Sequence, residues 1–403
     1  MRILIVSAFD PLPGDGSLLI RYPFIAKALA DRGNEVHYVS SAFFHGKKRF
    51  RDSDIPPSFL ARPLRAGKEK KQEKREEISL HLLPAIPYSK NISLARLRHH
   101  RHFAKQLAIF LKKQAPFDLI ISAFPPIEAN TVVMGFATQT RTPWILDIQD
   151  AWPQAFWKKL GGDTLGKFLS WPMMRAVRQQ VQSADALFAV SEDYGELFGR
   201  KAQSFPLGIS QELFPYKAVD FKKPEGHKAL LFMGSSSQTP FLQQLIQSWD
   251  KAPIDMHLML AGAADWMRRL KTDPQRRFWG FPEAVPSQQL LALCDIGLVT
   301  PDPQLYSRLP FKVFGYLSEG LSLLSNIEGG ELERWIDEQI LGATFNDSLD
   351  DFWEKLQTIK PDKPRVKAWA SKTLVKEKVY EDYAEAALLV AKDNRYASGK
   401  SEF

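Results

Sequence analysis

The feature that most constrains this chain is a pattern that appears at its start and begins again past its middle. A short apolar run, Arg2-Ile3-Leu4-Ile5-Val6, leads into the loop Asp10-Pro11-Leu12-Pro13-Gly14-Asp15-Gly16-Ser17, which opens a helix ending near Gly33. Glu35-Val36-His37-Tyr38-Val39 follows as the next strand. Strand, glycine-bearing turn, helix and strand in this order open a doubly wound parallel sheet. The pattern restarts at Lys228-Ala229-Leu230-Leu231-Phe232-Met233, followed by Gly234-Ser235-Ser236-Ser237 and a helix from Pro240. With 403 residues the chain has room for two such domains, since each tends to hold roughly 100 to 200 residues. The expected division is 1–206 and 207–366, then a helix over 367–392 and a frayed tail over 393–403.

Composition narrows the class: 44% hydrophobic and 25% charged residues describe a soluble globular protein. One cysteine, Cys294, excludes a disulfide within the chain and fits a reducing cytosol. The opening strand reads as too short for a signal peptide, and no apolar run approaches the roughly 20 residues that span a bilayer. A cytoplasmic protein is expected. A formal net charge of +8 favours anionic partners: nucleic acid, anionic lipid or nucleotide-linked substrates. Nucleic acid is the weakest of these, because the basic residues lack interleaved aromatics and a reading motif. The basic stretch 90–113, with Arg96, Arg98, His99, His100, Arg101, His102 and Lys105, reads as an amphipathic helix. Such a helix either packs on the sheet or also touches an anionic membrane surface on the inner face of the plasma membrane. The histidines do not fall at ligand spacing and no Asp-x-Asp clamp stands at a strand end, so neither metal nor cofactor is expected. Residues 41–90 read as a long irregular connection.

Candidate chemistry gathers at strand ends. Trp144-Ile145-Leu146-Asp147-Ile148-Gln149-Asp150-Ala151-Trp152-Pro153 sets two carboxylates, an amide and an indole at the carboxyl end of a buried strand, the edge where sheets of this class bind ligands. Asp150, with Asp147 in reserve, is the acid–base candidate; the bland alternative has Asp147 satisfying backbone amides and Asp150 starting a loop. In the second half, Arg308-Leu309-Pro310-Phe311-Lys312-Val313-Phe314-Gly315-Tyr316-Leu317-Ser318-Glu319-Gly320 reads as a short helix with an apolar stripe at Val313, Phe314, Tyr316 and Leu317. Lysine in a first turn opposes the helix dipole unless an anion lies nearby. Lys312 therefore marks either a phosphate site or a solvated surface. The turn at Gly234 and Ser235 can cradle a phosphate, and Gly330 with Glu331 can meet a sugar or ribose hydroxyl or cap the next helix. Gly14 and Gly16 make either a tight turn or a ligand loop, without the third glycine of a dinucleotide fingerprint.

The stretch from Arg308 through Pro310 and Lys312 to Gly320 resembles the retaining GT-B glycosyltransferases of family four, in which a proline, a lysine, an aromatic-glutamate-tyrosine step and a glycine lead into a strand. Asp147-Ile148-Gln149-Asp150-Ala151-Trp152-Pro153 is similar to the family's aspartate-x-x-aspartate-aromatic-proline segment beside the acceptor, and Ser204-Phe205-Pro206-Leu207-Gly208-Ile209 to the segment before its second domain. The resemblance implies two Rossmann-like domains facing across a cleft, with the helix over 367–392 crossing back to the first. It implies an acceptor side with Gly14, Gly16, Arg21 and Trp152, and a donor side where Lys312 faces the diphosphate with Arg308, Pro310, Gly234, Ser235, Gly330 and Glu331 around it. The family's glutamate pair falls on Gly315 and Ser307, and Glu319 lies a turn too late to replace it. The expected activity is transfer of a sugar from a UDP- or GDP-linked donor to a glycan or lipid-linked acceptor in bacterial surface polysaccharide synthesis, with retention. Inversion would need Asp150 as base. A non-catalytic relative that binds a nucleotide or protein partner, and a nucleotide-sugar epimerase, are the alternatives.

Overall fold

The computed structural model describes residues 1–17, 19–51, 78–91, 93–154, 162–209, 221–234, 240–262, 269, 272–281, 288–300 and 308–397. The chain separates into two compact units, Met1–Pro206 with Glu377–Phe403 and Leu207–Lys376.

The first unit runs β1 (Arg2–Val6), α1 (Tyr22–Ala30), β2 (Glu35–Ser41), a hairpin β3 (Phe43–Phe44) and β4 (Arg49–Phe50), β5 (Ile78–Leu83), α2 (Leu94–Leu111), β6 (Leu119–Phe124) and α3 (Ile127–Thr140). It continues with β7 (Trp144–Ile148), α4 (Gly162–Ser183), β8 (Ala186–Ala189), α5 (Asp193–Phe198) and β9 (Gln203–Ser204). Among the described residues its sheet is parallel, in the order β5-β2-β1-β6-β7-β8-β9. The order reverses direction at β1 and β6, paired from Ile3 with Leu119 to Val6 with Ser122. The connection expected to be irregular over 41–90 holds the hairpin and the edge strand β5. Two-residue strands carry no periodic signal, and residues 52–77 lie outside the described residues.

The second unit runs β10 (Lys228–Met233), α6 (Pro240–Gln247), β11 (Met256–Ala261), β12 (Phe278–Phe281), α7 (Gln288–Leu293), β13 (Ile296–Val299), α8 (Lys312–Ser318) and β14 (Ser322–Ser325). Then come α9 (Gly330–Gln339), β15 (Gly342–Thr344), α10 (Leu349–Thr358) and α11 (Lys363–Thr373), before α12 (Lys376–Ala397). Its sheet is parallel in the order β12-β11-β10-β13-β14-β15, the same winding as the first. The apolar stripe of α8 faces inward as its spacing predicts: Val313, Tyr316 and Leu317 are fully buried and Phe314 nearly so. Gly297 has no side chain because the Tyr316 ring occupies that space; an added Cβ would sit 2.3 Å from Cδ2. The β10–β13 ladder ends at Leu231 and Gly297, which would strand the Met233 amide. The Tyr316 hydroxyl accepts from that amide at 2.8 Å and donates to the Leu298 carbonyl at 3.4 Å, closing the point where the two strands part.

A single helix over 367–392 is not what forms. Val375 pairs with Ile209 as an isolated parallel bridge, the Ile209 amide donating to Leu374 at 2.7 Å and Lys376 donating back to Ile209 at 3.2 Å. Those bonds end α11 inside the second unit, and α12 starts afresh. Its Val379, Tyr380, Tyr383, Ala384, Ala387 and Ala391 are buried in the first unit's core with Ile3, Ile5, Leu29 and Phe188. Among the described residues no helix is long and apolar enough to cross a membrane.

Candidate functional site

In both sheets the chemistry sits at the carboxyl ends of the strands, where open α/β sheets leave a crevice at the switch of winding. In the first unit β1 runs out into Ser7, Ala8, Phe9 and Asp10. Asp10 accepts the backbone amides of Tyr22 at 2.9 Å and Arg21 at 3.2 Å, so it holds the start of α1 in place of a conventional cap. Burial raises its carboxyl to about 6 against the pull of those two amides. The loop with Gly14 and Gly16, at φ 91° and 64°, is pinned rather than open. Asp15 accepts from the Leu12 amide at 2.7 Å and pairs with buried Arg51 at 3.0 Å, while Lys47 donates to the Gly16 carbonyl at 2.6 Å.

Arg21 and Asp147, expected as a cleft residue and a reserve base, are joined to each other. Both are fully buried, Arg21 donates to both Asp147 oxygens at 2.8 Å, and it also donates to the Phe205 carbonyl at 2.5 Å. Its guanidinium lies 5.2 Å from the ring centroid of Tyr383 and 5.8 Å from that of Tyr380. With both oxygens taken and no solvent contact, Asp147 is a structural anion that ties α1, β7 and the returning α12 together. This corrects both assignments. Sequence offered no sign of it, since the partners lie 126 residues apart.

Asp150 stands differently. One oxygen accepts the Ala151 amide at 2.8 Å and the other the indole N–H of Trp152 at 3.1 Å. Burial raises its pKa, while the two bonds and nearby Arg96 oppose the rise. A carboxylate so held can take up a proton from a hydroxyl placed beside it. Around it gather groups from the basic stretch that reads in sequence as an amphipathic helix packed on the sheet or touching a membrane. Arg96 lies over the Trp152 ring at 4.7 Å and near Phe9 at 5.5 Å, and His100 is tilted against Trp152 at 5.3 Å. His99 and His100 are buried. The signal was present: Arg96, His99 and His100 continue, at helical spacing, the stripe of Phe103, Leu107 and Leu111 that α2 buries. Arg98, Arg101, Lys105 and Lys112 remain on the exposed face.

In the second unit, half-buried Lys312 brings its ammonium 4.2 Å from the Phe232 ring centroid and 3.9 Å from where a Cβ on Gly234 would lie. It therefore sits at the carboxyl end of β10. The free amides expected at the start of this helix are engaged, Val313 with Pro310 at 3.0 Å and Phe314 with Phe311 at 3.2 Å, and Gly234 donates to Ala261 at 3.0 Å. Among the described residues, the Lys312 ammonium is the positive charge beside Gly234. Ser235 and Ser307 lie outside the described residues. Arg308 covers the turn before α9: its Nη1 is 3.3 Å from where a Cβ on Gly329 would lie, and both Gly329 and Gly330 have positive φ. Glu333, not Glu331, reaches back to the Gly329 amide at 2.8 Å; Glu331 is buried in the first turn. Pro310 accepts from Val313 and shapes the entry to α8. Among the described residues, a Cβ on Gly315 would have within 4 Å only Met233 at 3.6 Å and Leu291 at 3.9 Å, both apolar.

Residues 25–205 match the family model of the glycosyl transferase 4-like domain. Among solved structures, the lipopolysaccharide outer core galactosyltransferase WaaB, in its apo form, is similar with a TM-score of 0.55 at 14% identity, over 96% of this chain and 99% of that one. The Anabaena protein HepE in complex with UDP-glucose is similar with a TM-score of 0.54 at 15% identity, again over 96% and 99%. Likeness at these identities is one of fold, and the fold is GT-B, built of two Rossmann-like parallel-sheet units. No curated protein matches the sequence.

Proposed function

We propose that this chain is a glycosyltransferase that moves a sugar from a nucleotide diphosphate donor, UDP-linked in the first instance, to a glycan or glycolipid acceptor of the bacterial surface. The observation that carries the reading is the pair of cationic side chains along the carboxyl edge of the second sheet, Lys312 beside Gly234 and Arg308 over Gly329. A leaving diphosphate gathers negative charge as the glycosidic bond breaks, and fixed cations in a partly dry site stabilise that charge most where it develops. The matched family model over the first unit and the GT-B fold support the same assignment. The UDP-glucose complex of HepE is the ground for placing uridine first among donors.

Catalysis on this reading needs few protein groups. With retention, the departing phosphate accepts the acceptor's proton on the same face, and Asp150 orients the acceptor hydroxyl. Inversion would make Asp150 the base, its raised pKa matching it to that work. One observation favours the binding-only alternative: among the described residues, no carboxylate lies within 4 Å of where a Cβ on Gly315 would stand.

The test is a thermal-shift screen against uridine, guanosine, thymidine and adenosine diphosphates and their sugars, followed by product analysis. UDP-sugars should stabilise the protein, Lys312→Ala should remove that stabilisation, and Asp150→Asn should retain it while lowering transfer about 100-fold or more. Full nucleotide response in Lys312→Ala would refute the donor assignment. Tight nucleotide binding without transfer to any acceptor would favour the binding-only reading.

A further inference from the structure

A second cationic cluster lies in the first unit. The hairpin turn after β3 presents His45 and Lys48, and α2 presents Arg96, His99 and His100, all around Tyr88 and Phe9. Lys48 Nζ lies 3.0 Å from His45 Nδ1 and 4.7 Å from the Tyr88 ring centroid. The Tyr88 hydroxyl is bonded to the same Nδ1. The ammonium can only donate, so that nitrogen carries a lone pair and His45 is neutral. Burial, with Lys48 and Arg96 adding to it, holds the His45 pKa down to about 3. Burial together with Arg96 lowers Lys48 to about 8.

Among the described residues, neither Lys48 nor Arg96 forms an ion pair within 4.0 Å, although Arg21 and Arg51 in the same unit are both paired. Asp150 is the carboxylate whose charge reaches Arg96, and its oxygens are bonded to Ala151 and Trp152; Glu128 lies 3.5 Å from His100. The Arg96 Nε and both ring nitrogens of fully buried His100 have no hydrogen-bond partner. Lys48 also has a left-handed backbone, φ 53°, which a residue with a Cβ adopts only under constraint. Two half-buried cations kept this close, with the Asp150 charge felt by Arg96 but no described carboxylate within 4.0 Å of either, are relieved when an anion arrives. A guanidinium lying over an indole, an ammonium and the unpartnered Nε2 of His100 suit a tetrahedral oxyanion with a ring or chain lying on Phe9 and Trp152.

We propose that Lys48, Arg96 and His100 form a phosphate site that receives a phosphorylated acceptor, setting its reactive hydroxyl near Asp150. The word acceptor rests on the transferase reading; the phosphate site does not. The experiment is calorimetric titration of the full chain with phenyl phosphate and, separately, with dioctanoyl phosphatidic acid below its micellar concentration. At least one probe should bind, with affinity falling tenfold or more in both Lys48→Gly and Arg96→Gln and unchanged in Lys312→Ala. Binding of phenyl phosphate supports a site for soluble phosphates, and binding of the lipid alone supports the same site with the phosphate carried on a lipid. No binding of either at millimolar concentration overturns the proposal. So does binding that survives both first-unit variants or disappears in Lys312→Ala. Lys48→Gly removes the backbone constraint, so its melting temperature should not fall, which separates lost binding from lost folding. Phosphate binding here in a protein that transfers no sugar would keep the site and retire the transferase reading.

Discussion

Two arginines of the first unit show what burial does with and without a partner. Arg21 is fully enclosed, its guanidinium satisfied by both oxygens of Asp147 and by the Phe205 carbonyl. Arg96 is half-buried, lies over Trp152 at 4.7 Å, and its charge helps to lower the pKa of Lys48. The first arrangement is complete within the protein and holds elements together. Among the described residues, the second feels the charge of Asp150 but has no carboxylate paired with it, and the proposed phosphate would be that partner.

The largest effect should come from breaking the complete pair. Asp147→Ala leaves a buried guanidinium uncompensated and should lower stability by about 3–5 kcal/mol, read as a shifted urea midpoint. Replacing both partners, Arg21→Met with Asp147→Leu, should recover most of that loss. A single variant as stable as the parent would erase the distinction between the two arginines.

Acid should produce the next effect, on the incomplete side. Burial brings buried His99 down to about 4, opposed by its bond to the Ile86 carbonyl. An unfolded histidine titrates near 6.5, so the stability from holding His99 neutral is complete above that pH and is lost as pH falls toward 4. The loss reaches about 2 kcal/mol at pH 5. Asp10, raised to about 6, has the opposite sign, because its burial is relieved as it gains a proton below pH 6. Denaturation followed from pH 7 to pH 5 should therefore show a shallower decline, or a rise, in His99→Gln. An identical slope in both proteins would count against a neutral buried His99.

The smallest effect is on stability at Lys48. Glycine is at ease with the left-handed backbone, and the ammonium's contact with the Tyr88 ring is lost, so Lys48→Gly should stay within about 1 kcal/mol of the parent. A loss of 3 kcal/mol or more would make Lys48 a structural residue like Arg21.

The winding of both sheets was legible because parallel strands covered on both faces are written as apolar runs, and the stripe of α8 because helical spacing leaves only one face to bury. The polar core was not legible. Arg21 and Asp147 meet only after β1, α1 and β7 have come together, and nothing local to either residue points to the other. Arg96, His99 and His100 were half legible: the stretch reads as an amphipathic helix, but nothing in it says that Phe9 and Trp152 lie against these side chains. The surroundings of Lys312 were half legible, since its ammonium stands at the expected strand end while the Val313 and Phe314 amides are engaged in the turn.

The central claim is a division of labour, with nucleotide bound by the second unit and phosphate by the first. Titrating UDP and phenyl phosphate into Lys312→Ala and Lys48→Gly tests it most directly. The account predicts that Lys312→Ala loses UDP and keeps phenyl phosphate, and that Lys48→Gly does the reverse. Loss of both ligands in one variant, with neither affected in the other, would contradict it.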